Sequence, residues 1–418
     1  MDIHLSEAQL HTLLDSMRLI NSTLDLDELL AIIMKEVTEN LDADRSTLYL
    51  VDEEKNEIWS KIAQGDNKLI IRQAIGKGIS GYVAKTGEIL NIEDAYQDSR
   101  FNPQVDKKSG YRTHTILCMP VRDKNGKIIA VLQALNKKSG KFTKEDEAFT
   151  LAFTDFISMA IQNAQLYQEA LERKRLENEI AVAGEIQKML LPAQVPPVNE
   201  YELYAYHQPS RQIGGDYYDF FSSTDKLHLI LADVSGKGTP AALLMANMQA
   251  TVHNLLGKCE NNIELICQIN SHMYAYSTSD KYATLVWGEL KLKTHQFSYI
   301  TAGHIPPLQF TNDGKNIKVR DLPNSSIPVG MIPEYNFQES NTEILPQDII
   351  LICSDGITEA HSSGNEMFEI NRVKKIVINN YDKSLKEIGD EIIRQVTVFA
   401  KGGVYEDDVT LVMVRRLR

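Results

Sequence analysis

The chain is predicted to be an α+β protein of two domains joined by one long helix, and three observations carry this. Strand-like runs fall in two separate stretches, one before residue 137 and one after residue 200. Between them, Lys144 to Leu191 holds no proline and a single glycine, Gly184, as an uninterrupted helix would. That helix must stop at LLPAQVPP (190–197), because proline lacks the N–H that continues the ladder.

Taken in order, residues 5 to 40 read as helix, with Leu10, Leu13, Leu14, Met17 and Leu30 on an amphipathic pattern. LDLDELL restarts it, with Asp25 and Asp27 favourable at its positive end. Strands follow at STLYLVD (46–52), EIWSKIAQG (57–65), HTILCMPVRD (114–123) and KIIAVLQALN (127–136). DKNGK (123–127) makes the last two a hairpin. In the long helix, Leu176, Ile180, Ala183, Gln187 and Leu190 alternate steps of four and three, the spacing of a coiled-coil seam. Paired helices and one solvated helix both remain open. The second domain alternates apolar strands (KLHLILADVS, ATLVWGELKL, DIILICSDG, DVTLVMVRR) with helices at 240–258, at 262–278 and late, from NRVKKIVINN through EIIRQVTVFA. That pattern suggests sheets covered by helices. The expected division is 1–165, 166–192 and 193–418.

Bulk numbers narrow the function. At 418 residues, more than one core is expected. A formal charge of −13 argues against nucleic acid or a polybasic membrane-surface role, since no surplus of Lys and Arg exists to neutralise phosphates. Cys118, Cys259, Cys267 and Cys353 form no CxxC pair, as expected of reduced thiols in a cytoplasmic protein. MDIHLSEAQL does not read as a signal peptide, and no apolar run approaches the roughly 18 residues of a membrane span. No membrane partner is expected.

Four acidic motifs recur in the second half: GGDYYDF (214–220), ADVSGKG (232–238), CSDGITEA (353–360) and EDDVT (406–410). One alone would read as a turn or cap. Four together, two closing strongly apolar strands, point to carboxylates gathered from separate strand ends. Hard divalent cations prefer such oxygen donors, and a cation keeps clustered carboxylates ionised together. GKG (236–238) precedes a helix, but lacks the spacing of a P-loop.

GGDYYDF, ADVSGKGTPAALLMA, YITAGHIPPL, IPVG, SDGITEA and DDVTLV, in this order, resemble the PPM-type metal-dependent phosphatases, and most closely their bacterial SpoIIE/RsbU-type branch. The resemblance covers residues 176 to 418. It implies an α/β/β/α sandwich, and two Mn2+ or Mg2+ ions held by Asp216, Asp233, Asp355 and Asp407 with the Val234 carbonyl. Asp219 and Asp408 are nearby alternates. Arg211 lies at the spacing of a phosphate-binding arginine, although a surface role suits it as well. The implied chemistry is attack by a metal-bridging water with no protein nucleophile; His304 is expected to shape a turn. The implied substrate is a phosphorylated STAS-type anti-sigma-factor antagonist. A silent phosphatase fold that binds its partner, with a purely dimerising first domain, is the alternative. Two departures stand out: LPQD (345–348) replaces a Pro-Gly-Asp turn, and MFEINR (367–372) a Phe-Gly pair.

GKGISGYVAKTGEILNIEDAYQDSRFN, SGYRTHTILCMPV and the series Asn136-Lys137, Phe142, Asp146-Glu147 resemble the GAF domains of cyclic-nucleotide phosphodiesterases and cyclases. The resemblance implies a Lys137–Asp146 ion pair, and a nucleotide pocket at Thr47, Ile79, Ser80 and Thr113. Gln64 and Gln133 stand where cyclic-GMP-binding relatives carry acids, which favours cyclic AMP. A homodimer is expected.

Overall fold

The computed structural model describes residues 7–20, 22–64, 67–278, 280–323, 326–400 and 405–418. The side chains of Leu10, Leu13 and Gln64, and Gly65 at the end of one expected strand, lie outside what is described. Two compact units emerge, Met1–Arg175 and Leu176–Arg418.

In the first unit the expected leading helix is two: α1 (Glu7–Ile20) and α2 (Leu26–Asn40). Asp25 caps α2, its carboxylate accepting the Glu28 N–H at 3.0 Å. Six strands follow: β1 (Ala43–Asp52), β2 (Glu57–Gln64), β3 (Asn67–Ala74), β4 (Leu90–Ile92), β5 (Ile116–Arg122) and β6 (Ile128–Lys137). They form one antiparallel sheet in the order β3-β2-β1-β6-β5-β4. Helices α3 (Gly78–Thr86) and α4 (Pro103–Ser109) lie in the connections, and α5 (Lys144–Lys188) follows β6. Strand alternation sorts the side chains. Leu48, Leu50, Leu132 and Ala134 join α2 and α5 in one core. Tyr49, Val131, Ile116 and Cys118 join Ile79 and Val83 of α3 in another. Helix α5 ends at Lys188, three residues short of expectation, in turns closed by Met189, Leu190 and Leu191 N–H bonds.

The second unit contains β7 (Tyr201–Gln208), β8 (Tyr217–Ser222), β9 (Lys226–Val234), α6 (Thr239–Leu255), α7 (Asn262–Tyr276), β10 (Ala283–Lys291), β11 (Gln296–Ala302), β12 (Leu308–Asn312), β13 (Ile317–Asp321), β14 (Ser340–Glu343), β15 (Ile349–Cys353), α8 (Asp355–Thr358), α9 (Ile370–Asn379), α10 (Leu385–Phe399) and β16 (Val409–Arg416). The late helical segment is thus two helices; Ser384 and Glu387 start the second with a reciprocal capping box. Two five-stranded sheets result, β14-β11-β10-β9-β8 and β13-β12-β15-β16-β7.

Period-2 alternation shows how they stack. On β9, Ile230, Ala232 and Val234 pack with α6 and α7, whereas Leu227, Leu229 and Leu231 enter a core shared with the other sheet. On β16, Val412 and Val414 enter that same core, whereas Leu411 and Met413 meet α9 and α10. Both faces of each sheet are therefore buried, and the layers run helix, sheet, sheet, helix.

Candidate functional site

The four predicted carboxylates sit at one end of this sandwich. Asp216 immediately precedes β8 and Asp233 is the penultimate residue of β9; these strands pair antiparallel, with Tyr217 opposite Ala232. Asp355 follows β15 and Asp407 precedes β16, with Cys353 opposite Leu411. Each sheet thus contributes a strand start and a neighbouring strand end. Burial pushes the Asp233 carboxyl up to about 7, helped by the charges of Asp355, Asp407 and Asp408. Asp355 rises to about 6, through burial and then Asp407. Asp216 is held well above the usual carboxylate range by burial, Asp233 and Asp408.

The surrounding bonds show which aspartates face this cluster. Asp408 is near enough for its charge to act on Asp216 and Asp233, but its carboxylate is spent on backbone. Oδ1 accepts the Ser210 N–H at 2.7 Å, and Oδ2 accepts Gly215 N–H at 2.6 Å and Asp216 N–H at 3.3 Å. Asp219, the other alternate, is engaged elsewhere as placed. It lies inside β8 on the side of α6, where Oδ2 accepts the Tyr217 hydroxyl at 2.9 Å and meets His253 Nε2 at 2.7 Å. Asp216 Oδ2 accepts a bond from the Thr410 hydroxyl. His207 Nδ1 lies 2.9 Å from the same hydroxyl. Asp407 Oδ2 pairs with Lys237 Nζ at 3.0 Å.

Glycines give the cluster its closeness. A Cβ on Gly215 would stand 2.9 Å from the Val234 carbonyl oxygen, and one on Gly356 would stand 2.2 Å from the Asp408 carbonyl oxygen. Among the described residues, no three carboxylate, imidazole or thiol groups stand in ligating geometry as placed. Asp216 Oδ2 and Asp407 Oδ2 are already engaged, as above. The donor set still fits hard divalent cations: all oxygen, partly desolvated, and mutually repelling unless a cation intervenes.

Three other sequence expectations can be located. Arg211 is exposed, near Gly238 at the start of α6, and makes no ion pair with the four carboxylates among the described residues. His304 is buried and neutral, pushed down to about 4 by burial, with Nδ1 donating to the Ile305 carbonyl at 2.9 Å; it serves a turn. Gln187 does not belong to a seam between helices. Its Nε2 donates to the Gly214 carbonyl at 2.8 Å, and its Oε1 accepts the Gly214 N–H at 3.0 Å. One turn earlier, a Cβ on Gly184 would stand 2.5 Å from the Gln212 carbonyl oxygen. The end of α5 therefore grips the loop that carries Asp216, which Asp408 also holds. Sequence reading missed both clamps, because each partner is remote in the chain.

In the first unit, Lys137 and Asp146 pair at 2.8 Å, as expected. Thr47 and Gln133 are cross-strand neighbours on the face that α3 covers with Ile79 and Ser80. The Thr47 and Ser80 hydroxyls bond that of Tyr49, whose own pKa burial raises to about 12. Thr113 is buried, its N–H and hydroxyl both donating to Asp106 at 2.7 and 2.9 Å. All four cysteines are free, and no helix among the described residues is long and apolar enough to cross a membrane.

Comparison with known proteins agrees with this division. Residues 223–417 match the family described as Stage II sporulation protein E (SpoIIE), and residues 25–161 match the GAF domain. The phosphoserine phosphatase RsbU of Bacillus subtilis is 25% identical over 355 residues, 84% of this chain and 99% of RsbU. A probable 3′,5′-cyclic phosphodiesterase, pde-5 of Caenorhabditis elegans, is 40% identical over 187 residues, 42% of this chain. The chain spans a quarter or less of the length of the phosphodiesterases it matches. The SiaA PP2C domain of Pseudomonas aeruginosa has the same fold, with a TM-score of 0.53 at 17% identity over 59% of this chain and 99% of that domain. Residues 25–161 are thus a GAF domain, and residues 223–417 a PP2C/PPM-type phosphatase domain like that of SpoIIE.

Proposed function

We propose that the chain is a metal-dependent protein phosphatase acting on phosphoserine or phosphothreonine, regulated through its GAF domain. The observation that carries this is the gathering of Asp216, Asp233, Asp355 and Asp407 at adjoining strand ends of two sheets, with carboxyls raised by burial and mutual repulsion. Two manganese or magnesium ions on these carboxylates and the Val234 carbonyl would supply Lewis-acid charge and water of lowered pKa. The chain's own part is placement. Thr410 holds one oxygen of Asp216, and Asp408 fixes the loop that presents it. Such preorganised charge suits phosphoryl transfer, in which positioning and electrostatics do most of the work.

The proposed substrate is a phosphorylated STAS-type anti-sigma-factor antagonist, in line with the likeness to RsbU. The proposed regulator is a cyclic nucleotide, with cyclic AMP favoured, bound on the face carrying Thr47, Ile79 and Ser80 and closed by Thr113. The likeness of this domain to phosphodiesterases supports a cyclic nucleotide as such, and Gln64 and Gln133 in place of acids favour cyclic AMP. The bonds between Gln187 and Gly214 offer a route by which α5 reaches the site. Leu176 and Ile180 remain exposed on α5, which suits pairing in a homodimer.

Hydrolysis of p-nitrophenyl phosphate by the full chain, with and without manganese, tests the reading. Metal-dependent turnover that Asp233→Ala abolishes is expected. No turnover, together with tight binding of the unphosphorylated partner, would favour the silent binding module. A rate and a melting temperature that both ignore cyclic AMP would remove the regulator.

A further inference from the structure

Lys237, the middle residue of the GKG segment, reaches from the loop before α6 to the segment that precedes β16. Its Nζ lies 3.0 Å from Asp407 Oδ2 and donates to the Glu406 carbonyl. It also lowers the Asp355 carboxyl, against the larger upward effects of burial and Asp407. With Gly356, Glu359, His361, Glu406 and Asp407 it lines a small cavity of about 80 Å³ at the edge of the cluster. Among the described residues it is the one side-chain cation in an ion pair with any of the four carboxylates. The turn that aims it there depends on glycine: Gly236 and Gly238, on either side, have φ of +97° and +75°, which L side chains rarely adopt.

Two physical points assign it a role. Both partners of the pair are more than a third exposed, 39% for Lys237 and 38% for Asp407, and such ion pairs are weak and exchangeable. Asp407 Oδ2 cannot serve an ammonium and a divalent cation equally, so the two compete for it. Charge balance adds the second point. Two divalent cations would neutralise the four aspartates, leaving a phosphate monoester dianion without a counter-charge, and Lys237 is the cation already at the rim.

We propose that Lys237 is a positioning residue for the phosphoryl group of the substrate, released to it when a divalent cation takes Asp407. This rests on the phosphatase reading above and names the group that receives the phosphate monoester. The test uses the full chain, with manganese(II) and inorganic phosphate as probes in titration calorimetry, alongside p-nitrophenyl phosphate kinetics. Lys237→Gln is expected to bind manganese roughly two- to fivefold more tightly, having lost a competitor. It is expected to bind phosphate to the manganese-loaded protein roughly tenfold or more weakly, having lost a charge-assisted bond, with KM rising in step. Lys237→Arg is expected to restore phosphate binding, and Arg211→Ala to change it less than Lys237→Gln does. Unchanged phosphate affinity in Lys237→Gln, or weaker manganese binding, would overturn the proposal and leave Lys237 as a tether between two loops. A wild-type chain that binds both probes through Lys237 but turns over no ester would sink the phosphatase reading and leave this assignment standing.

Discussion

Replacing Asp233 by asparagine separates what this carboxyl does to the fold from what it does for the chemistry. Burial, followed by the charges of Asp355, Asp407 and Asp408, moves its pKa from 3.8 to about 7. The folded carboxyl therefore holds its proton more tightly than the unfolded one. Its stabilising contribution is complete below about pH 4 and is lost as pH rises through 7. The difference is about three decades, at roughly 1.4 kcal/mol each, so an ionised Asp233 destabilises the metal-free fold by about 4 kcal/mol at pH 8. Asparagine keeps the shape and drops the charge. In chelator at pH 8, Asp233→Asn is thus expected to unfold at a higher temperature than wild type. For a unit of this size the gain is on the order of 10 °C. The gap should shrink as pH falls and close near pH 4. With manganese the order should reverse, and the variant should be inactive. Scanning calorimetry of the full chain, followed at the transition of the second unit, reads all of this. A variant less stable than wild type in chelator at pH 8, or a gap that ignores pH, would refute the electrostatic account.

Two further outcomes are expected. Gln187→Ala strands the buried N–H and carbonyl of Gly214, at about 1–3 kcal/mol; manganese affinity should fall with it, and calorimetry showing both unchanged would contradict the clamp. Glu369→Gly should raise stability by about 1–2 kcal/mol in thermal unfolding, because Glu369 sits at φ 62° and ψ 149°, a region that only glycine occupies without strain; no rise would mean its surroundings already relieve that strain.

That last position shows how far the sequence could be read. The two departures from the family pattern, in LPQD and MFEINR, fall on Gln347 at φ 71° and Glu369 at φ 62°. The backbone keeps the turns that glycine would make, and absorbs the strain. The metal carboxylates were legible because LHLILAD and DIILICSD end buried strands in charge, which few structural roles require. Which neighbouring aspartate faces the cluster was not legible. Both precede β16, yet Asp407 meets Lys237 whereas Asp408 turns to the 210–216 loop, a choice made by partners remote in the chain. Asp219, three residues from Asp216, finds Tyr217 and His253; that pairing depends on where α6 lies. Gln187 looked like a polar flaw in an apolar stripe, because heptad spacing carries no information about a loop 27 residues away.

The supply of two carboxylates by each sheet has a consequence for variation far from the site. Successive residues along a strand are about 3.3 Å apart, so a slip of one sheet past the other by a fraction of that spacing would part Asp216 and Asp233 from Asp355 and Asp407. The centre therefore works as a vernier on the intersheet core. Leu229, Leu231, Val286, Phe297, Ile350 and Val412 set its alignment without touching it, and repacking them should register as a change in cation affinity well before the fold itself gives way.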